Sequence, residues 1–189
     1  IDRTLVAHLL PHLQAAGYDC WPDRPHPHRR YYELIAIRKP LKRTSEACLE
    51  LDSDMGRELL IVDAEQDGVR WRLMTAHMES LAQGRLRRQA QAAVILEQMG
   101  EGPALFGGDT NLRDDEVEAM PDAWAACGSP DKLYMTYRSR SGARRRYDRF
   151  WGRGVRFSGF SLVGQTRIAP GGPMPSDHLG IGVSMKAAE

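Results

Sequence analysis

The chain has 189 residues, of which 42% are hydrophobic and 27% are charged, and its formal net charge at pH 7 is +1. This length and composition indicate one globular domain with its own hydrophobic core. The near-neutral charge excludes a uniformly basic surface, so any nucleic-acid-binding surface must be a local patch. No apolar stretch approaches the length of a membrane span. Three cysteines without zinc-site spacing indicate thiols in a reducing, cytoplasmic compartment, or the nucleus in a eukaryote: Cys20, Cys48 and Cys127.

The first part of the chain has alternating helix and strand signals. Thr4 is expected to cap a helix that is kinked at Pro11 and ends at Gly17. A proline-rich basic surface loop is predicted over residues 20–30. Three strands are predicted next: Tyr31–Arg38, Glu58–Asp63 and Val69–Ala76.

The second part of the chain begins with an amphipathic helix. Residues Arg85–Met99 have apolar positions at helical spacing, and Gly100 ends the pattern. Four further strands are predicted: Pro103–Gly108, Tyr147–Trp151, Gly159–Val163 and Leu179–Met185. This order, mostly strands with helices between them, predicts an α/β (α+β) fold.

Polar residues cluster at the ends of the predicted strands, where a rigid sheet can position functional side chains. Four segments carry them: Thr-Ala-His-Met-Glu-Ser (75–80), Gly-Gly-Asp-Thr-Asn-Leu-Arg (107–113), Arg-Tyr-Asp-Arg (146–149) and Pro-Ser-Asp-His (175–178). Taken singly, each has an ordinary structural explanation as a turn, a cap or a surface ion pair. Their ordered recurrence at strand ends indicates one common site.

The residue types in these segments suit the hydrolysis of a phosphodiester. Asp109 can accept a proton from an attacking water, and Asn111 can hold that water or the phosphate in line. His77 and His178 can donate hydrogen bonds to the non-bridging phosphoryl oxygens. Asp148 can fix the tautomer of His178 and favour its charged form.

The ordered motifs resemble those of the endonuclease/exonuclease/phosphatase superfamily and are most similar to the tyrosyl-DNA phosphodiesterase 2 group. Residues 77–80 resemble that group's His-Leu-Glu-Ser motif, and residues 108–114 its Gly-Asp-Thr-Asn-Leu-Arg-Asp motif. The resemblance covers residues 31–183. It implies a four-layer α/β/β/α sandwich of the DNase I type, with residues 1–189 as a single catalytic domain. The activity it implies is Mg²⁺-dependent hydrolysis of 5′-phosphotyrosyl-DNA ends by direct water attack.

The resemblance also implies ligands and the residues that contact them. The cofactor is Mg²⁺, with Mn²⁺ as a possible substitute, and Asp177 is expected to approach the metal through water. The expected partner is a single-stranded DNA 5′ end. The protein is expected to act as a monomer and not to bind a membrane. The substrate-binding residues are Ser80, Arg113, Arg57, Tyr31 and Tyr137, the last in place of a tryptophan. For Arg57 and Tyr31, ordinary surface and strand roles remain equally open.

Two motifs of the group have no counterpart in the chain. They are an early Asn that contacts phosphate and a Gln-Glu pair whose Glu is the main metal ligand; the neighbours of Glu33 do not match the latter. We therefore expect a domain that is truncated at its N-terminus and weak or inactive as it stands.

Three alternatives to this interpretation stay open. The chain could be another phosphodiesterase or phosphatase of the superfamily, acting on abasic DNA, RNA or a small phosphoester. It could instead be a non-catalytic nucleic-acid-binding or interaction domain that has truly lost the Glu. The basic run 144–146 is either a phosphate-binding surface or a solvated face.

Overall fold

The computed structural model describes residues 2–24, 31, 33–116, 122–130, 135–139 and 141–188. The described helices are α1 (Arg3–Ala15), α2 (Arg85–Gln98) and α3 (Ala123–Ala126), with 3₁₀ turns at Ala82–Gly84 and Asp114–Glu116. The described strands are β1 (Tyr18–Trp21), β2 (Ile35–Arg38), β3 (Lys42–Glu50), β4 (Glu58–Gln66), β5 (Val69–Ala76), β6 (Ala104–Asp109), β7 (Tyr137–Arg138), β8 (Arg144–Arg145), β9 (Asp148–Arg153), β10 (Val155–Val163) and β11 (Gly180–Ala187).

A five-stranded sheet in the order β3-β4-β5-β6-β9 forms the centre of the molecule. Its neighbouring strands are antiparallel, except that β5 and β6 run parallel and are joined through α2. Parallel neighbours need such a crossover, because a tight turn only joins antiparallel strands. Consequently β5 and β6 end at the same edge of the sheet.

The main hydrophobic core lies between α2 and this sheet. Ile95 of the helix and Met99 just beyond it belong to the same buried cluster as Phe106 of β6 and Trp151 of β9. Full burial of a side chain such as Phe106 contributes roughly 1.5–3 kcal/mol. The Phe106 and Trp151 ring centroids lie 4.9 Å apart, a contact worth about 0.5–1.5 kcal/mol more. This core fixes the two strands, β6 and β9, that end in polar residues.

The opposite face of the central sheet contacts a second, smaller sheet. Side chains alternate along β4, so that Ile61 joins the core under α2 whereas Val62 and Ala64 pack with Ile37 of β2. β2 pairs with β1, and α1 covers this pair through a cluster that includes Val6. The order of layers is helix, sheet, sheet, helix, and the predicted α/β/β/α sandwich is confirmed.

Two hairpins complete the described structure. β10 and β11 pair antiparallel, with a bulge between Ser158 and Ser161 where Gly159 has a φ of +64°. The much shorter β7–β8 hairpin is joined to the segment just before β11 by a β-bridge between Tyr137 and His178. No helix in the described part of the chain combines the length and apolar composition that crossing a membrane requires.

The first helix differs in detail from its prediction. The cap is Asp2 rather than Thr4, since the Thr4 backbone N–H donates to the Asp2 carboxylate at 2.8 Å. The helix continues through Pro11 without ending or restarting there, and the predicted kink at this residue stays a prediction. The helix ends before Gly17, as predicted, and Gly17 adopts a φ of +83° that glycine tolerates without strain.

The strand predictions are right in position but not in extent. The strand predicted from Tyr31 begins only at Ile35, and the loop predicted over 20–30 begins after β1, with residues 25–30 outside the described residues. β3 was not predicted. It lies at the sheet edge with most of its residues exposed, so its polar sequence carries no alternating apolar signal.

Candidate active site

Three strands of the central sheet bring polar residues to one edge. β5 ends at Ala76, directly before His77, and β6 ends at Asp109. β9 begins at Asp148, which is the register partner of Asp109 across the antiparallel β6–β9 pair. The approach of β5 to β6 depends on Gly108, because a Cβ at this position would lie 2.2 Å from the Ala76 carbonyl oxygen.

The carboxylate of Asp109 lies between two imidazoles. Its Oδ2 is 3.3 Å from His77 Nε2 and 3.8 Å from His178 Nε2. His178 Nδ1 is 2.8 Å from Asp148 Oδ2, a hydrogen bond that leaves Nε2 directed toward Asp109. The ring of Tyr137 lies 4.9 Å from the His178 ring and restricts its position from another side. The four polar groups thus form one continuous cluster.

Asn111 orients the Asp109 carboxylate through a hydrogen bond. Its backbone N–H donates to Asp109 Oδ1 at 3.0 Å, and its side-chain Nδ2 donates to the carbonyl of Met78 at 3.3 Å. Asn111 has a φ of +50°, a left-handed conformation that asparagine adopts more readily than most residues. Asn111 therefore orients one oxygen of Asp109 and leaves the other, Oδ2, facing the two histidines.

The pKa values in the cluster move in different directions. Burial, followed by the nearby charge of Asp148, raises the pKa of Asp109 to about 6. Burial and the positive charge of Arg57 lower the pKa of His77 to about 4. Burial lowers the pKa of His178, but the hydrogen bond and charge of Asp148 outweigh it, and the net direction is upward. At pH 7 the cluster therefore holds an ionised Asp109 and a neutral His77, with His178 more readily charged than an ordinary histidine.

Two of the predicted substrate-binding residues meet beside this cluster. Arg57 Nη2 donates to the hydroxyl of Ser80 at 3.0 Å. The Nε of Arg57 is buried, and no acceptor among the described residues satisfies it. A buried unpaired donor is costly, so an anion at this place would be stabilised.

The other predicted substrate-binding residues lie at different distances from the cluster. Tyr137 contacts His178 directly and stacks on Tyr147 with 5.2 Å between ring centroids. Arg113 is exposed two residues beyond Asn111. Tyr31 is 58% exposed and its backbone forms an isolated bridge with Asp2, so its contact with substrate stays a prediction.

One group of side chains in the described part of the chain could hold a metal ion. Single ligand atoms of Asp109, Asp148 and His178 all lie within 4.8 Å of one another. Asp177 is exposed, and its backbone carbonyl accepts from the N–H of Arg138 at 3.0 Å. Its predicted contact with a metal through water stays a prediction.

A buried ion pair beneath the site was missed from the sequence. Arg88 and Glu116 form two hydrogen bonds of 2.9 Å, with both side chains almost fully buried. Arg88 also donates to the carbonyls of Glu79 and Leu81, in the loop that follows His77. The available signal was the position of Arg88 on the apolar stripe of α2, three and four residues before Gln91 and Ala92 of the same buried face.

A carboxylate near His77 was also missed. Glu33 Oε1 accepts the backbone N–H of His77 at 3.2 Å, and burial raises its pKa. Sequence reasoning set Glu33 aside because its neighbours match no motif. The contact joins residues 44 positions apart in the chain, and no local pattern reveals it.

Comparison with known proteins finds relatives that are named phosphodiesterases. No protein-family model matches the chain. A 5′-tyrosyl-DNA phosphodiesterase from Caenorhabditis briggsae is 31% identical over 179 residues, which cover 84% of the chain and 51% of the relative. A crystal structure of truncated TDP2 from Caenorhabditis elegans is 30% identical with a TM-score of 0.79, covering 95% of this chain and 78% of that one. TDP2 from D. rerio, complexed with single-strand DNA product, is 25% identical with a TM-score of 0.80, covering 95% and 82% of the two chains.

The fold is shared with an endonuclease/exonuclease/phosphatase family protein from Bacteroides thetaiotaomicron, which is 18% identical with a TM-score of 0.75, covering 94% of this chain and 79% of that one. The chain belongs to the tyrosyl-DNA phosphodiesterase 2 family. The chain spans about half the length of the C. briggsae relative.

Proposed function

We propose that the chain is the catalytic domain of a metal-dependent phosphodiesterase that hydrolyses 5′-phosphotyrosyl-DNA ends by direct water attack. The observation that carries the proposal is the position of Asp109 between His77 and His178, with Asp148 behind the second histidine. The activity of relatives named tyrosyl-DNA phosphodiesterase supports the choice of substrate.

Asp109 is the proposed acceptor of the water's proton. A pKa of about 6 leaves it ionised at neutral pH yet more basic than an ordinary carboxylate, which suits general base catalysis. Its Oδ1 is occupied by the Asn111 N–H, so Oδ2 is the atom that takes the proton. The water oxygen then forms a bond to phosphorus while the bond from phosphorus to the tyrosyl oxygen breaks.

The histidines are proposed to stabilise the charge that develops on the phosphoryl oxygens. His178 donates its Nδ1–H to Asp148, which leaves Nε2–H of the charged ring available to the phosphate. His77, neutral at pH 7, can donate one ring N–H. The departing tyrosine has a phenolic pKa near 10, so it needs less protonation than an alkoxide, and water can displace it directly.

Arg57 and Ser80 are proposed to bind the phosphate itself. The buried Nε of the Arg57 guanidinium has no acceptor in the part of the chain that the structure describes, and its Nη2 already orients the Ser80 hydroxyl. A phosphate oxygen would satisfy such donors through charge-assisted hydrogen bonds. Tyr137 offers a ring on which a terminal base can stack, and Arg113 a cation for a phosphate.

The metal is proposed to be Mg²⁺, with Mn²⁺ as a substitute. Asp148 offers a hard oxygen ligand of the kind that Mg²⁺ prefers, and Asp177 is proposed to reach the ion through water. Mg²⁺ keeps most of its waters and uses few protein ligands, which fits this sparse donor set. When bound, the ion supplies positive charge to the phosphoryl oxygens.

The proposed partner is a single-stranded DNA 5′ end. The D. rerio relative binds single-strand DNA product, and the near-neutral charge of this chain suits a short strand better than a long duplex. A reducing intracellular compartment is proposed for the protein, because none of its three cysteines forms a disulfide.

The test is tyrosine release from a 5′-phosphotyrosyl single-stranded oligonucleotide, in Mg²⁺ and in EDTA. The chain is assayed beside a form extended through its upstream reading frame. Mg²⁺-dependent release by at least one form is the expected result. Absence of release by either folded protein would overturn the substrate, and assays on abasic DNA, RNA and a chromogenic phosphodiester would then identify a different phosphoester or a binding role.

A further inference from the structure

Glu33 lies against the candidate site but takes no part in the proposed reaction. It precedes β2 by two residues, and its Oε1 accepts the backbone N–H of His77 at 3.2 Å. The His77 imidazole in turn lies 3.3 Å from the Asp109 carboxylate. A single residue, His77, therefore separates Glu33 from the group that is proposed to accept the proton of the attacking water.

Arg57, just before β4, is a charged neighbour of Glu33. Burial raises the pKa of Glu33, whereas the positive charge of Arg57 and the N–H of His77 limit that rise. The Arg57 Nη2 donates to the Ser80 hydroxyl at 3.0 Å. The guanidinium therefore interacts with the charge of Glu33 through space and stays available to bind a phosphate.

The charge of the phosphate changes during the proposed reaction. Hydrolysis replaces the bond from phosphorus to the tyrosyl oxygen by a bond to hydroxyl, and that hydroxyl loses its proton with a pKa of about 6. The 5′-phosphate product therefore carries nearly two negative charges at neutral pH, whereas the diester carries one. Cationic donors that bind the substrate would bind this product more tightly, and slow product release limits the turnover of many enzymes.

A fixed negative charge beside the phosphate opposes this preference for the product. Glu33 can supply that charge, because a neighbouring cation and a hydrogen-bond donor both favour its ionised form. Coulomb repulsion scales with the product of the two charges, so Glu33 repels a dianion about twice as strongly as a monoanion. Because Glu33 is half-buried, salt screens this repulsion less than it would on the surface. The cost in binding free energy is therefore greater for the product.

We propose that Glu33 determines specificity by making the site favour a monoanionic phosphodiester over the dianionic phosphomonoester that is formed from it. The inference rests on the proposed function and deepens it, because it explains how a site with several cationic donors can release its own product. It acts on the phosphate that is cleaved and assigns to Glu33 a role that needs its charge as well as its hydrogen bond to His77.

The first experiment compares the binding of two short single strands by fluorescence anisotropy in Mg²⁺ near pH 7.5. One strand carries a 5′-phosphate, and the other carries its methyl ester, which is a monoanionic diester. Glu33→Gln should lower the ratio of the two Kd values, phosphate over methyl ester, roughly tenfold, because one additional unit charge is no longer repelled. The matched control is Glu97→Gln at the opposite end of α2, which should leave the ratio unchanged.

Glutamine keeps a carbonyl oxygen that can accept the His77 N–H, so this variant tests the charge without removing the hydrogen bond. Glu33→Ala removes both and should lower the ratio by a similar factor. A ratio that changes in Glu33→Ala but not in Glu33→Gln would assign the effect to the hydrogen bond and overturn the proposal.

The second experiment measures inhibition of tyrosine release by the 5′-phosphorylated strand. In Glu33→Gln, the inhibition constant of this product should fall about tenfold more than the KM of the phosphotyrosyl strand. Equal changes in the two constants would show that Glu33 does not distinguish the two charge states, and would overturn the proposal.

The two proposals fail in different ways. Tyrosine release with an unchanged Kd ratio in Glu33→Gln would overturn the role of Glu33 and leave the activity standing. A lowered ratio in a protein that releases no tyrosine would support the selection by charge and overturn the activity. If neither strand binds the folded chain or its extended form, both proposals are wrong.

Discussion

The two ends of the central sheet both hold partly buried carboxylates, but the two carboxylates have different partners. At the end opposite the catalytic cluster, Arg72 forms two hydrogen bonds with Asp63, of 2.8 and 3.0 Å, and Ser45 donates to the same carboxylate. At the end with the candidate active site, Asp109 has two histidines within 3.8 Å, and no arginine or lysine among the described residues forms an ion pair with it. Asp63 is therefore neutralised by a permanent cation, whereas the neighbours of Asp109 are titratable histidines.

The pKa values follow the same division. The hydrogen bond from Arg72 lowers the pKa of Asp63, and the bond to Asp63 raises that of Arg72, so both groups are held more firmly in their ordinary charged states. Burial raises the pKa of Asp109 to about 6 and lowers that of His77 to about 4, away from their ordinary charged states. A pKa shift that disfavours the charged form of a side chain, as in Asp109 and His77, is typical of residues in active sites.

Cavity size alone would have chosen the wrong end. The cavity beside Asp63 and Arg72 measures about 540 Å³, larger than the cavity of about 390 Å³ that Arg113 and Arg144 line. Asp63 and Arg72 on its wall are paired with each other. Volume alone therefore does not identify the end of the sheet that holds the candidate active site.

The largest expected effect comes from Asp109→Asn. Because asparagine cannot accept the water's proton, the rate of tyrosine release should fall about 10³-fold. Asp63→Asn, the same change at the other end, should alter the rate less than about twofold. Steady-state kinetics on folded proteins measure both, and similar rate losses in the two variants would remove the distinction between the ends.

The next largest effect is expected on stability, from the buried ion pair between Arg88 and Glu116 beneath the candidate site. Arg88→Met leaves Glu116 buried without its partner, so the free energy of unfolding should fall by about 3–5 kcal/mol. Urea unfolding measures this loss. Arg87→Met is the matched control, since Arg87 pairs with Asp54 on the surface and should matter little. Replacing Glu116 by Leu in the Arg88→Met background should restore part of the stability, and a further large loss would contradict the pairing.

A smaller effect, on pH dependence, is expected from Asp148→Asn. In the unaltered protein, kcat/KM should rise with pH as Asp109 ionises near pH 6 and fall again as His178 loses its proton above its usual pKa. The Asp148 charge raises both pKa values, so its removal should shift both sides of the profile to lower pH. The rate at pH 8 should fall about 10²-fold. A profile that merely scales down without shifting would contradict this role.

The smallest effects are expected on the free energy of unfolding measured in EDTA. Asp109→Asn and Asp63→Asn should change it in opposite directions. Asp109 has a folded pKa of about 6 against 3.8 when unfolded, so its ionisation costs stability above that window. Asp109→Asn should therefore stabilise the protein at pH 7.5 by about 1–3 kcal/mol, and the gain should vanish near pH 4.

Asp63 provides the matched control for that sign. Its pKa is lowered, so it contributes stability above about pH 4 that is lost as the pH falls. Asp63→Asn should cost up to about 1 kcal/mol at pH 7.5, since the pair is a third exposed and screened by solvent. Equal signs for the two variants in urea titrations would contradict the comparison.

The layers of the fold were implied by the family resemblance, whereas the apolar patterns predicted the individual elements. The continuous apolar run of β4, which is buried on both faces, and the helical stripe of α2 are both readable in the sequence. β3 escaped prediction because its exposed edge position imposes no such pattern. The cap at Asp2 was misplaced because Asp and Thr are both good capping residues and lie two positions apart.

The candidate site was predictable where its residues stand at strand ends. Asp109, Asp148 and His178 follow this rule, and the structure brings them together. Glu33 and Glu116 do not, because their contacts join distant segments through side chains with no local signature.

Gly108 bears on how this site can change over generations. The smallest possible addition there would bring a carbon within 2.2 Å of the Ala76 carbonyl oxygen, so β5 and β6 would have to separate. The loops beyond the strands can exchange residues one at a time and so explore new substrates. The distance between β5 and β6 cannot change gradually in the same manner, because any substitution at Gly108 requires the two strands to move apart. Lineages that retain the chemistry are thus confined to one spacing of the sheet and diversify at its rim.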